Sequence, residues 1–200
     1  WVLTLVTSQQ FWTLAKCESW RSLYDFGELR EMKTLIIHPI DATTEFLSPC
    51  YENTNFTISR ELKSSKYLKN QVKEHDRIIM LGHGSEFGLF GNRGMTIDSK
   101  LIYLLREKEC WCIWCYAHVF FQKYKLRGLS TGMIISELTE AQYLGVIAAP
   151  EAIEESNKLF TNALTLAIDS KNPSQSFKDY YKAENNMIVD FNSKNVFYKR

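Results

Sequence analysis

Two residues of the chain have the types and surroundings of a reacting pair, His83 and Cys115. His83 stands between glycines in Gly82-His83-Gly84, directly after the apolar run Ile78-Ile79-Met80-Leu81. Five of the nine glycines fall between positions 82 and 94, so backbone freedom is concentrated in that loop. Cys115 closes the run Cys110-Trp111-Cys112-Ile113-Trp114-Cys115 and is followed by Tyr116-Ala117. A thiol near an imidazole suits nucleophilic acyl transfer. The thiolate is the reactive form, and a nearby imidazolium raises its share near neutrality. A helix is expected to open after Cys115, and the free N–H groups at its start favour negative charge. Gly84 has no Cβ to hold off a substrate carbonyl, so its N–H and that of Cys115 are the candidate oxyanion donors. Each residue also has an ordinary structural reading. His83 would bond to backbone in a tight turn, and Cys115 would be a buried core thiol.

Strands and helices alternate around this pair. The first core strand is expected at Leu35–His38, stopped by Pro39, and the next over residues 77–81. The run from Cys110 is a third strand and Gly132–Ser136 a fourth. Runs that are apolar throughout mark strands buried on both faces. Between them, Ser64 caps a helix with Leu68, Val72 and His75 inward, and Asp98 or Ser99 caps another carrying Leu101 and Leu105. A short helix spans roughly His118–Leu126, with Gly128 past its end. Pro150 opens an amphipathic helix on Ile153, Phe160, Leu164 and Ile168, and Pro173 a further one with Phe177 and Tyr181 inward. Met187–Phe191 and Asn195–Tyr198 read as a C-terminal edge hairpin. The fold class is therefore α/β, a three-layer sandwich whose mainly parallel sheet carries helices on both faces. In such sheets ligands sit at the carboxyl ends of the strands, the edge that receives both His83 and Cys115.

An apolar strand ending in His-Gly, then a later apolar strand ending in Cys with a small residue close behind, resembles the caspase, gingipain, separase and CHAT-type cysteine peptidases. The residues that carry the likeness are Ile78–Gly84 and Trp111–Ala117, in the same order of His before Cys. The resemblance implies a caspase-like sandwich with Cys115 as nucleophile and His83 as general acid/base. It also implies peptide or protein substrates, and it calls for no cofactor. The caspase signature Gln-Ala-Cys-x-Gly is replaced here by Ile113-Trp114-Cys115-Tyr116-Ala117. Glu86, Asp98 and Glu137 lie near expected strand ends, where an acid could select a basic substrate side chain, although most such acids are solvated loop charges. The rival is a non-catalytic flavodoxin-like or degenerate caspase-like module that binds a ligand or partner at the same edge.

Composition sets the outer limits. The chain has 200 residues, 45% of them apolar and 24% charged, which is globular rather than disordered. A net charge of +1 gives no bulk field for holding a phosphate backbone, so nucleic acid is not an expected partner. No apolar stretch reaches the roughly 18 residues of a membrane span. Five cysteines, three of them between 110 and 115, do not form the even, dispersed set of a secreted disulfide scaffold, and a cytoplasmic setting is expected. A metal shared by Cys110, Cys112, Cys115 and His118 is disfavoured by strand parity, since Cys110 and Cys112 face one way about 7 Å apart. The glycine loop has one residue too many for a dinucleotide fingerprint. His38 and the aromatics Phe120, Phe121 and Tyr124 read as structural, and Lys63, Lys66, Lys69 and Lys73 as a solvated helix face. Residues 1–31 hold three of the five tryptophans. They are either extra upstream sequence or a helical extension on Phe11, Leu14, Trp20 and Leu23, and residues 32–200 form the α/β domain.

Overall fold

The continuous apolar runs become the buried centre of one sheet. The computed structural model describes residues 32–61, 64–92 and 94–199, all within the unit Met32–Arg200. The expectations for residues 1–31 and for Lys63 lie outside the described residues. In chain order, β1 (Thr34–Ile37) leads through a 3-10 helix (Glu45–Cys50) to β2 (Thr57–Ser59), α1 (Ser65–Glu74) and β3 (Arg77–Leu81). A small antiparallel unit follows: β4 (Gly84–Ser85), β5 (Gly88–Gly91) and β6 (Gly94–Ile97). Next come α2 (Ile102–Leu105), β7 (Glu109–Ile113), α3 (Ala117–Lys123) and β8 (Arg127–Thr131). The chain closes with α4 (Leu138–Tyr143), α5 (Pro150–Ile168), α6 (Pro173–Tyr180), α7 (Met187–Ser193) and β9 (Val196–Lys199).

The main sheet has the order β2-β1-β3-β7-β8-β9, parallel throughout except for β9, which runs antiparallel to β8. Alternate side chains feed two cores. Leu35, Ile37, Ile78, Met80, Cys110 and Cys112 face α1, α2 and α3. Ile36, Ile79, Trp111, Ile113 and Leu129 face the long helix α5, with α6 and α7 beside it. The protein is thus a three-layer α/β sandwich. Local signals hold where they were sharp: Ser64 Oγ accepts from the Tyr67 N–H at the start of α1, and Pro150 and Pro173 each open a helix. Among the described residues, no helix is long and apolar enough to cross a membrane.

Three local expectations are corrected. The C-terminal hairpin is half a helix: Met187–Ser193 is α7, capped by Asn186, whose side chain accepts from the Ile188 and Val189 N–H groups. Its buried residues Ile188, Val189 and Asn192 sit at helical spacing, which the β-branched run obscured. Only the second half is a strand, β9. The fourth central strand starts five residues earlier than expected, because Gly128 is inside β8 rather than behind α3. Gly128 has φ +117, and a Cβ there would collide with the Cys110 carbonyl on the neighbouring strand. Residues 132–136 are loop, where the Asn192 amide receives the Ile135 N–H and donates to the Ile135 carbonyl in place of a ladder. Finally, the glycine-rich stretch is not a loose loop but the antiparallel unit β4–β6.

Candidate active site

Because β3 and β7 are hydrogen-bonded neighbours, the segments that follow them emerge side by side at the carboxyl edge of the sheet. Gly82 turns the chain out of β3 with φ +139, a conformation that favours glycine, while its N–H bonds to the Ile113 carbonyl of β7. His83 comes next and is held by the small sheet, since its carbonyl accepts from the Phe90 N–H at 2.8 Å. Its side chain is 36% exposed. His83 Nε2 lies 2.6 Å from Thr43 Oγ1 and 3.9 Å from Asp41 Oδ1, both on the loop after β1.

Cys115 is placed by a tightly tied strand end. Thr131 Oγ1 of β8 accepts from the Trp114 N–H at 3.0 Å and lies 2.8 Å from the Trp114 carbonyl, bracketing the residue before the thiol. Tyr116, the residue after it, is left-handed at φ 64, a conformation that costs a non-glycine residue of order 1 kcal/mol. The Tyr116 and Ala117 N–H groups are taken by Gly132 and Trp114 carbonyls. The expected electrostatic help from helix N–H groups at these positions is therefore absent. The Cys115 N–H itself has no hydrogen-bond partner among the described residues. Sγ of Cys115 lies 3.9 Å from the Ile134 carbonyl oxygen and 3.9 Å from Glu140 Oε1. Burial, reinforced by the Glu140 charge, pushes this thiol up to about 11. The other oxygen of Glu140 is occupied by the Ser136 N–H (2.7 Å), the Ser136 hydroxyl (3.0 Å) and the Glu137 N–H (3.2 Å).

His83 and Cys115 line one cavity, together with Gly82, Trp114, Ser136 and Glu140. Its volume of about 30 Å³ admits one or two waters. Gly84 is beside this cavity rather than in its wall. Its missing Cβ makes room for the Trp114 indole, which would collide with any side chain there, and not for a substrate. Trp114, bulky in the sequence, is buried and donates from Nε1 to the Ser85 carbonyl at 2.9 Å, locking the β7 end against β4. The Gly84 N–H is nonetheless free of the ladder. The bond from Phe90 N–H to His83 carbonyl makes Gly84–Leu89 a non-hydrogen-bonded pair, so this N–H points outward from the edge strand β4.

None of the three acidic candidates lines this cavity. Glu86 is exposed in the turn between β4 and β5, away from the cavity. Glu137 caps α4 and accepts from the Thr139 hydroxyl, while Asp98 caps the turn before α2 by accepting from the Lys100 N–H. The carboxylate that reaches the thiol is Glu140, one helical turn beyond Glu137. Asp41, Thr43, Thr131 and Glu140 are site residues that sequence reasoning missed. The Asp41-x-Thr43 spacing is a turn signal that could have found the first two. Cys110 and Cys112 are fully buried in the core, and no group of three or more His, Cys, Asp or Glu able to hold a metal occurs among the described residues. Compared with known proteins, the chain matches no family model, no curated protein and no solved structure.

Proposed function

We propose that this protein is a cysteine peptidase-like hydrolase of peptide bonds, with Cys115 as nucleophile and His83 as general acid/base. The observation that carries the reading is that both side chains line a single cavity at the carboxyl edge of adjacent parallel strands. The His-then-Cys order and the α/β sandwich agree with what the resemblance to caspase-type peptidases implies. On this reading the Cys115 proton passes to His83, and the thiolate forms a bond to the substrate carbonyl carbon. The oxyanion is received by the two unused donors, the N–H groups of Cys115 and Gly84. Collapse breaks the C–N bond, and the imidazolium returns its proton to the leaving amine. Water then adds to the thioester, the S–C bond breaks and the thiol is restored, with peptide or protein as substrate. The four described cysteines are all free, which suits a reducing, cytoplasmic setting.

The resting geometry adds one condition. Sγ is bonded toward Glu140 and Ile134 inside a cavity of water size, so a peptide reaches it only after the Cys115 side chain turns toward the cleft mouth. The same observation favours the second reading, a non-catalytic module that binds a partner at this edge. Incubation with a proteome-derived peptide library separates the two, with new termini read by mass spectrometry. The hydrolase reading expects termini made by the native protein and lost in Cys115→Ala. Identical peptide populations for both would sink it.

A further inference from the structure

The loop after β1 is built around His83 in a way that a surface histidine does not require. Asp41 Oδ1 accepts from the Thr43 N–H at 2.9 Å and from the Thr43 hydroxyl at 2.6 Å. These two bonds are what chiefly hold the Asp41 carboxyl below the usual carboxylate range, so it stays ionised and can only accept. A threonine hydroxyl has one proton. With that proton pointed at Asp41, Thr43 Oγ1 can meet His83 Nε2 at 2.6 Å only by accepting from it. The order of donors is therefore His83 Nε2–H to Thr43 Oγ1, and Thr43 Oγ1–H to Asp41. In the neutral ring this leaves Nδ1 without a proton, and Nδ1 has no hydrogen-bond partner among the described residues.

The loop itself is pinned from below. Thr44, next in the chain, lies 3.2 Å from Nε2 of the buried His38, and its hydroxyl donates to the Asp41 carbonyl at 3.4 Å. The turn is closed by the Thr44 N–H on the same carbonyl. Four residues after β1, His38, Asp41, Thr43 and Thr44, thus converge on the orientation of one imidazole just past β3.

We propose that Asp41 and Thr43 are positioning residues that hold His83 as the Nε2–H tautomer, presenting a basic Nδ1 to the Cys115 proton, with the Asp41 carboxylate balancing the imidazolium that forms. The inference rests on the Cys115–His83 reading and adds to it a third and fourth member. The tautomer argument stands on bond accounting alone, so it can be tested apart from reactivity.

In histidine-labelled protein, nitrogen NMR reads which nitrogen of His83 carries the proton in the neutral ring, with His83→Gln giving the assignment. Nε2–H is expected in the native protein and in Thr43→Ser, relaxing to a mixture in Thr43→Val; an Nδ1–H form in the native protein overturns the proposal. Iodoacetamide labelling of Cys115 at neutral pH gives the second readout. Thr43→Val should slow it roughly tenfold, the worth of a hydrogen bond to a charged group, and Thr43→Ser should restore it. Asp41→Asn, which keeps an acceptor for Thr43 but removes the charge, should fall between them. If His83→Ala slows labelling while Thr43→Val and Asp41→Asn do not, the positioning role is overturned and the dyad stands. If His83→Ala has no effect, the dyad fails and the catalytic role of the loop fails with it.

Discussion

Two histidines leave neighbouring strands at the same edge of the sheet and meet opposite surroundings. His38 follows β1 and is fully buried, with Nδ1 2.8 Å from the Tyr51 hydroxyl and Nε2 3.2 Å from Thr44. Burial, followed by the charge of Arg60, pushes it down from 6.5 to about 4, so it is neutral at working pH. His83 follows β3, is partly exposed, and uses one nitrogen while the other stays free. An imidazole with both nitrogens occupied is a structural strut, and one with a free nitrogen in a cleft beside a thiol can move a proton. Residue type does not decide between these roles; the partners left over after packing do.

The sharpest way to break this contrast is to remove each ring in turn. His83→Ala is expected to lower peptide cleavage by about a hundredfold or more while changing stability by less than about 0.5 kcal/mol. His38→Ala should fall chiefly on stability, costing roughly 3 kcal/mol through lost packing and an orphaned Tyr51 hydroxyl, with a smaller loss of cleavage because His38 also steadies the loop that holds Thr43. Chemical denaturation paired with cleavage assays reads both. Equal stability losses for the two variants would erase the distinction.

A pH series gives an effect of similar size from His38 alone. Its folded value lies below its unfolded one, so the unfolded chain binds the extra proton between 6.5 and about 4. The stabilising contribution is full above 6.5 and is lost as pH falls toward 4, amounting to about 3 kcal/mol in all. His38→Gln should flatten the stability profile across that window. An unchanged profile would mean that other groups carry the acid sensitivity.

The smallest expected effect lies at the thiol. Glu140→Gln keeps an acceptor for Ser136 and Glu137 but removes the charge facing Cys115, whose ionisation that charge opposes. Alkylation of Cys115 near pH 8 should rise about threefold. A fall instead would show that Glu140 acts on Cys115 by holding the loop rather than by charge.

The layered architecture was readable because doubly buried parallel strands leave uninterrupted runs such as Ile78–Leu81, and because α5 repeats its apolar face over five turns. His83 and Cys115 were readable for the same reason, as the residues where such runs stop. The supporting residues were not. Asp41 and Thr43 act on a histidine some forty positions away, a pairing that only the β1–β3 register brings about. Glu140 reaches Cys115 through the turn into α4, and Glu137, the nearer acid in sequence, is spent on capping that helix. Gly84 was singled out for the room that its missing Cβ leaves a substrate carbonyl, and the structure fills that room with the Trp114 indole. The tail misled because Ile188 and Val189 are β-branched, while the signals for a helix were the Asn186 cap and the spacing of Ile188, Val189 and Asn192.

The central claim is that Cys115 and His83 act as one unit, and the pH profile of Cys115 alkylation tests it most directly. Site-resolved mass spectrometry would follow iodoacetamide labelling in the native protein and in His83→Ala, with buried Cys50, pushed up to about 12, as the internal control. The account predicts that, once the Cys115 side chain turns from Glu140 toward His83, the native protein shows a reactive limb below pH 8 that His83→Ala lacks. A single rise toward about 11 in both, the behaviour of an isolated buried thiol, would contradict it.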